Sequence, residues 1–197
     1  MNSNSRLQRK NTEPKTQNGN TPKVKGDEKP KDVPGNAEFD PRVPLTARQR
    51  FNITKSWKGI ARNMEQTGIN MFLRLFETND EIKQLFKGLQ GYETAELRAS
   101  KGLENHVSMV MYTLDEAIAS MEDVDFVVEM LYTVGRSHWN MGGFIPEAFW
   151  KIEEPFLVAV KETLGDRYTA NMDHIYRKAI KFILETLIEG FKRCEKQ

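Results

Sequence analysis

Cysteine occurs once in the 197 residues, at Cys194, and histidine only three times. One thiol excludes an intramolecular disulfide framework and a cysteine-cluster metal site, and it fits a reducing compartment. No apolar run approaches the roughly 18 residues that a membrane span needs. The first residues lack the apolar stretch of a signal peptide, and residue 2 is asparagine rather than the glycine that myristoylation uses. These absences lead to the expectation of a cytoplasmic protein without a membrane span. The formal charge is +1, so no global field draws the chain to nucleic acid or to an acidic membrane. Alternating strands of useful length and internal repeats are also missing.

What is there divides into two regions. Residues 1–43 hold five of the eight prolines and nine Lys/Arg against six Asp/Glu, with few apolar side chains. Such a stretch cannot bury enough surface to offset the entropy of ordering it, so residues 1–44 read as a disordered, mildly basic extension. The segment KVKGDEKPK at 23–31 has the look of a nuclear-localisation patch, but its charges are mixed and read as a solvated tail.

From Leu45 to residue 197 the apolar residues take up a helical period. Thr46 and Gln49 have capping-box spacing, and a first helix is expected through Ile53, Trp57, Ile60 and Met64. Phe72, Leu73 and Phe76 mark a second, and Ile82, Leu85 and Phe86 a short third. A long helix aligns Leu103, His106, Val107, Val110, Leu114, Ile118 and Met121, and another aligns Val127, Met130, Leu131, Val134 and His138. Gly142-Gly143 stops that helix and Pro146 opens the next, which carries Phe149, Ile152, Phe156 and Val160. The last runs from Ile175 to Phe191. The expected fold class is all-α, with seven or eight helices.

His106 and His138 lie inside the apolar stripes of two different helices. A buried neutral imidazole carries a donor and an acceptor that must both be satisfied. A lone case usually finds a backbone partner. Two cases on separate helices ask for one explanation, and a haem supplies it: its iron takes an imidazole on each face and its porphyrin fills an apolar slot. Zinc fits less well, because it wants at least three protein ligands and no local set supplies them. No Cys-x-x-Cys-His motif is present, so the haem expected is haem b, held without thioether links. His174, at the start of the last helix, reads as a surface residue. Trp139 could pack beside the haem or cover the surface, and Cys194 reads as an ordinary exposed thiol.

At these residues the sequence resembles a known family. SWKGIARNMEQTGINMFLRLFETNDEIKQLF (56–86) is similar to the first three helices of animal globins, particularly the neuroglobin and cytoglobin branch. LENHVSMVMYTLDEAIASMED (103–123) resembles the helix of the distal histidine, and YTVGRSHWNMGG (132–143) that of the proximal histidine. The resemblance covers about residues 45–191. It implies a globin fold sandwiching a haem, with His138 as proximal and His106 as distal ligand of a hexacoordinate iron. It further implies Phe86 stacked on the porphyrin, Phe72 and Val110 in the distal pocket, Val134 as an apolar contact on the proximal side, and Trp57 as a packing residue.

The chain departs from the family pattern at three places. Asp80 stands where a proline is usual. The stretch between Phe86 and His106 is shorter, which leaves Tyr92 as a candidate second aromatic over the haem. Met109 stands where a basic residue is common, so haem-carboxylate pairing falls to Arg136 or Lys101. The implied ligands are oxygen, carbon monoxide and nitric oxide. The open alternatives are gas binding or sensing, a redox role (nitric-oxide dioxygenation, nitrite reduction or electron transfer) served by a reductase or signalling partner, and a haem-free interaction module.

Overall fold

The computed structural model describes residues 40–194. Residues 1–39 of the expected extension, with the 23–31 segment, lie outside the described residues, as do 195–197. Described residues begin ahead of Leu45. Val43 and Leu45 are both buried, and Arg42 spans Asp40 at 2.6 Å and Asp125 at 2.7 Å.

Eight α-helices make up the described residues, with three 3-10 turns among them and no strand. Helix α1 spans Ala47–Ala61, opened by the reciprocal Thr46/Gln49 box that the sequence predicts. Met64, expected on the same helix, instead opens α2 (Met64–Thr78), because the chain turns at Arg62 and Asn63. Asn63 there lies outside the helical region, at φ −128°. Helix α3 is one turn, Asp80–Lys83, and Leu85 and Phe86 fall in the turn after it. A short α4 (Thr94–Arg98) lies where the sequence shows only a loop.

Helix α5 (Lys101–Ala119) is capped by Ser100, and α6 (Val124–Ser137) by Asp123. Each cap side chain accepts from a backbone N–H that has no helical partner. His138–Asn140 is a 3-10 turn that continues α6. The helix expected from Pro146 divides into a 3-10 stretch, Pro146–Ile152, and α7, Glu153–Leu164. Thr169 caps α8, Ala170–Lys192.

The packing follows the apolar stripes. Helix α2 crosses α5 and α7, α1 touches α5, α7 and α8, and α6 lies along α8. The core includes Ile53, Ile60, Val107, Leu131, Ile175 and Tyr176, all essentially inaccessible to water. At about 25 cal/mol per Å² of apolar area removed from water, each such side chain stabilises the fold by roughly 1.5–3 kcal/mol before entropy is counted. Most buried polar side-chain atoms are paired, Arg50 Nε excepted: Trp57 Nε1 donates to Asp115 Oδ1 at 2.7 Å, and the hydroxyls of Ser56 and Tyr176 meet at 2.9 Å.

At Gly135 and Gly190 the backbones of α6 and α8 approach with no room for a side chain between them. A Cβ at Gly135 would collide with the Leu187 carbonyl, and one at Gly190 would lie 2.6 Å from Tyr132 Cα. Both positions require glycine for close approach.

Candidate functional site

Helices α2, α5, α6, α7 and α8, with the turns after α3 and α6, enclose a cavity of about 650 Å³. That is within the range of cofactor and small-ligand sites. Phe72, Phe86, His106, Val110, Val134 and His138, the six positions singled out by the sequence, all line it. Most of the remaining wall is apolar: Met71, Leu75, Ile82, Phe144, Phe149, Ile183 and Leu187 among others. Among the described residues, only Tyr112, Thr113 and Ser137 bring polar side chains to it besides the two imidazoles.

His138 stands where α6 ends. A helix leaves its last carbonyls without an N–H partner. The His138 backbone N–H turns to the carbonyls of Gly135 and Arg136, and Val134 O, one turn back, is met by His138 Nδ1 at 2.8 Å. A carbonyl can only accept, so Nδ1 carries the proton and Nε2 keeps its lone pair. The ring is further held between Phe144 and Phe149, at centroid distances of 5.0 and 4.9 Å.

His106 sits differently. It is half-buried on α5, with Phe72 and Phe86 edge-on to its ring at 5.1 and 5.0 Å. It makes no hydrogen bond to any described residue. Phe86 leans in turn on Phe76 at 5.1 Å, so the turn after α3 is anchored to α2 by edge-to-face ring contacts.

Burial holds both imidazoles neutral. The His106 pKa is pushed down to about 4, mostly by loss of hydration and further by the charge that His138 would carry. Burial also lowers His138, and the Val134 carbonyl partly offsets this. At neutral pH both rings therefore present unprotonated nitrogens, the form that binds a metal. Among the described residues no cluster of three or more His, Cys, Asp or Glu side chains is placed to hold a bare metal ion. The donor set present, two imidazoles on an otherwise apolar cavity, fits a metal that brings its own equatorial ligands, as a haem does.

The other candidates lie elsewhere. His174 is exposed at the start of α8. Trp139 packs on Phe191 at 5.2 Å and does not line this cavity. Cys194 is half-buried rather than exposed. Arg136 pairs with Glu129 at 3.0 Å and reaches neither the cavity nor its mouth. Tyr92 lies outside the cavity, on an adjoining vestibule that it shares with Lys101. Sequence reasoning missed Phe144 and the orienting carbonyl of Val134. Phe144 follows a glycine pair and belongs to no periodic stripe, but the four-residue spacing of Val134 and His138 was a usable signal for the second.

Comparison with known proteins decides the family. The model of the Globin family matches residues 69–187, well over half of the chain.

The chain belongs to the globin family.

Its relatives among globins include neuroglobin of Tetraodon nigroviridis, 25% identical over 150 residues that cover 76% of this chain and 94% of that protein. Cytoglobin-1 of Oryzias latipes is 32% identical over 126 residues, 64% of this chain and 69% of that protein. A crystal structure of a hexacoordinated heme protein from an anhydrobiotic tardigrade, determined at pH 4, superposes on this globin with a TM-score of 0.76. The two are 36% identical, and the match covers 78% of this chain and 99% of that one.

Proposed function

We propose that this globin holds a haem b in the cavity, with His138 and His106 as its two axial ligands. In this reading the protein reversibly binds a diatomic gas in competition with His106, in gas or redox sensing in the cytoplasm. The observation that carries the reading is the pair of neutral imidazoles on one apolar cavity, of which one has a single backbone partner and the other none. The globin and haem-protein relatives support it. When bound, the haem supplies an iron that accepts a nitrogen ligand on each face and, once one face is free, a diatomic gas.

The protein side chains divide the work. His138 is oriented by Val134 O and offers Nε2 as the permanent ligand; a second hydrogen bond of this kind fixes ring angle and raises ligand basicity. His106 is held only by ring contacts, so leaving the iron breaks no hydrogen bond within the protein. With a haem bound, a gas would compete with His106, and its apparent affinity would be scaled by the fraction of chains in which His106 is off. Once released, His106 can donate an N–H to the incoming ligand. Phe72 and Val110 offer no second donor on that side. Phe86 beside His106, and Phe144 and Phe149 beside His138, would shield that group from water.

Oxygen storage needs a protected ferrous state, which one mobile donor supports poorly. That favours sensing, or a redox role with a reductase partner such as nitric-oxide dioxygenation, nitrite reduction or electron transfer. The visible spectrum of the purified protein tests the reading. Six-coordinate, low-spin bands in both ferric and ferrous states are expected without added ligand. A five-coordinate ferrous spectrum excludes His106 as a ligand, and a colourless protein that takes up no added haemin leaves the interaction-module reading in its place. Mixing the reduced protein with air then separates the roles. Return to the ferric spectrum within minutes supports sensing or redox chemistry, and a ferrous state lasting many hours supports storage.

A further inference from the structure

Residues 41–64 hold six Lys/Arg and no Asp/Glu, in a chain whose formal charge is only +1. Most of that charge lies on one side of α1. The opposite side, with Ile53, Trp57 and Ile60, is buried against α5, α7 and α8. Arg48, Phe51, Lys55, Lys58 and Arg62 recur at steps of three and four residues. At about 3.6 residues per turn and about 1.5 Å rise they form a stripe about 80° wide and about 21 Å long. All five are exposed, Phe51 by 66%. Arg62 continues the stripe from the C-cap, where the backbone is still helical. Among the described residues none of the four cations forms an ion pair. Arg167, in the 3-10 turn after α7, adds a guanidinium beside Gly59: its Nη1 would lie 3.1 Å from a Cβ built there. Asp166 stands next to it, one carboxylate against five cations.

We propose that this face of α1 docks on an anionic phospholipid bilayer, with the five cations over headgroup phosphates and Phe51 pressed into the boundary between headgroups and acyl chains. A folded helix whose outward face is basic and carries an aromatic side chain has the composition that such a boundary attracts. The charge is local, so a chain of nearly zero net charge still presents a positive face. A protein partner fits the same face less well. Protein interfaces are built around buried aromatic and arginine anchors and are poor in lysine. Here Phe51 is the one large apolar side chain that α1 exposes. An anionic bilayer asks only that cations come near it, and each contributes separately. The chain ahead of α1 does not oppose this, because residues 1–39 carry eight Lys/Arg against five Asp/Glu. None of residues 41–64 lines the main cavity or its vestibule, so the docking is independent of what the cavity holds.

The test is co-sedimentation of the full chain with vesicles of phosphatidylcholine, pure or with about one part in four of phosphatidylserine. At about 0.1 M salt the wild type is expected to sediment with the anionic vesicles and not with the neutral ones. About 1 M salt, which shortens the Debye length from about 10 Å to about 3 Å, should release it. Lys55→Gln/Lys58→Gln should weaken binding about twenty-fold, since each lysine near such a surface contributes about five-fold. Phe51→Ser should weaken it about five-fold. Lys181→Gln/Lys192→Gln, which removes the same charge from the exposed side of α8, should change it by less than about two-fold. A thermal melt of each variant checks that it is folded. Equal weakening by the two lysine pairs would show a response to net charge rather than to a face, and overturns the proposal. So does binding that Lys55→Gln/Lys58→Gln leaves unchanged, which puts the attraction elsewhere in the chain, and so does equal binding to neutral vesicles. Failure of the wild type to sediment with anionic vesicles overturns it as well; retention on immobilised polyglutamate that depends on Lys55 and Lys58 would then give the face to an acidic protein.

Discussion

The two walls of the cavity carry the same side chain in opposite mechanical settings. On the α6 wall, His138 is tied to the main chain one turn back, flanked by two rings and carried on a helix pressed against α8. On the α5 wall, His106 makes no hydrogen bond to any described residue and meets the rings of Phe72 and Phe86 in T-shaped contacts. A ligand's strength at a metal depends on how much orientation is fixed before binding. The α6 wall has spent its hydrogen bond in advance. The α5 wall leaves its imidazole free to bind or depart. With a haem bound, an asymmetric pair of this kind would make one ligand permanent and the other a competitor.

The largest effect should come from breaking the fixed side. His138→Ala is expected to lower haemin affinity by more than about 100-fold, beyond the 10–100-fold typical of outer-shell changes. His106→Ala should retain haem, so a haemin titration in which the two variants exchange behaviour would reverse the assignment of roles. Gly135→Ala adds one methyl group at the α6/α8 crossing, and is expected to cost about 3–5 kcal/mol in urea unfolding, the range of severe overpacking. A loss under about 1 kcal/mol would show that α6 can move off α8 without penalty. On the loose side, His106→Leu should raise the carbon monoxide association rate of the reduced protein by about ten-fold or more, as the competing state disappears. Flash photolysis reads it, and an unchanged rate would mean that His106 does not compete.

The smallest effect concerns the strap ahead of α1. Removing residues 1–39 should leave the melting temperature unchanged. Removing 1–43 also deletes buried Val43 and the Arg42 link to Asp125 at the head of α6, and should cost about 1–3 kcal/mol, nearly all from the valine. Identical melts for the two truncations would show that the strap contributes nothing.

Much of this architecture is legible in the sequence because amphipathic period and caps are local. Thr46 and Gln49 and the stripe through Val107 and Leu114 act within a few residues, whereas the stop expected at Gly142-Gly143 comes earlier, α6 ending at Ser137 and its 3-10 continuation at Asn140. The two histidines stand out because polar groups in apolar stripes need a partner. What could not be read depends on juxtaposition. Helix α4 has a single buried residue, Leu97, and so no stripe to betray it. Met64 keeps helical phase with Ile60 although the chain turns between them at Asn63. The vestibule joins Tyr92 and Lys101 across a segment whose path only the folded chain defines. Gly135 and Gly190 look like helix weaknesses until α6 is laid on α8.

That crossing determines how faithfully the site survives change elsewhere. Side-chain interfaces drift, because one residue can swell while its neighbour shrinks and the helices slide by a fraction of an ångström. At Gly135 and Gly190 the main chains themselves are in contact, and there is no side chain to trade. The datum from which His138 is measured, three residues from Gly135, is therefore polypeptide backbone. Substitutions throughout the core can accumulate without moving that reference point, whereas the opposite wall, built of ring edges, has no comparable fixed mark and is free to diverge.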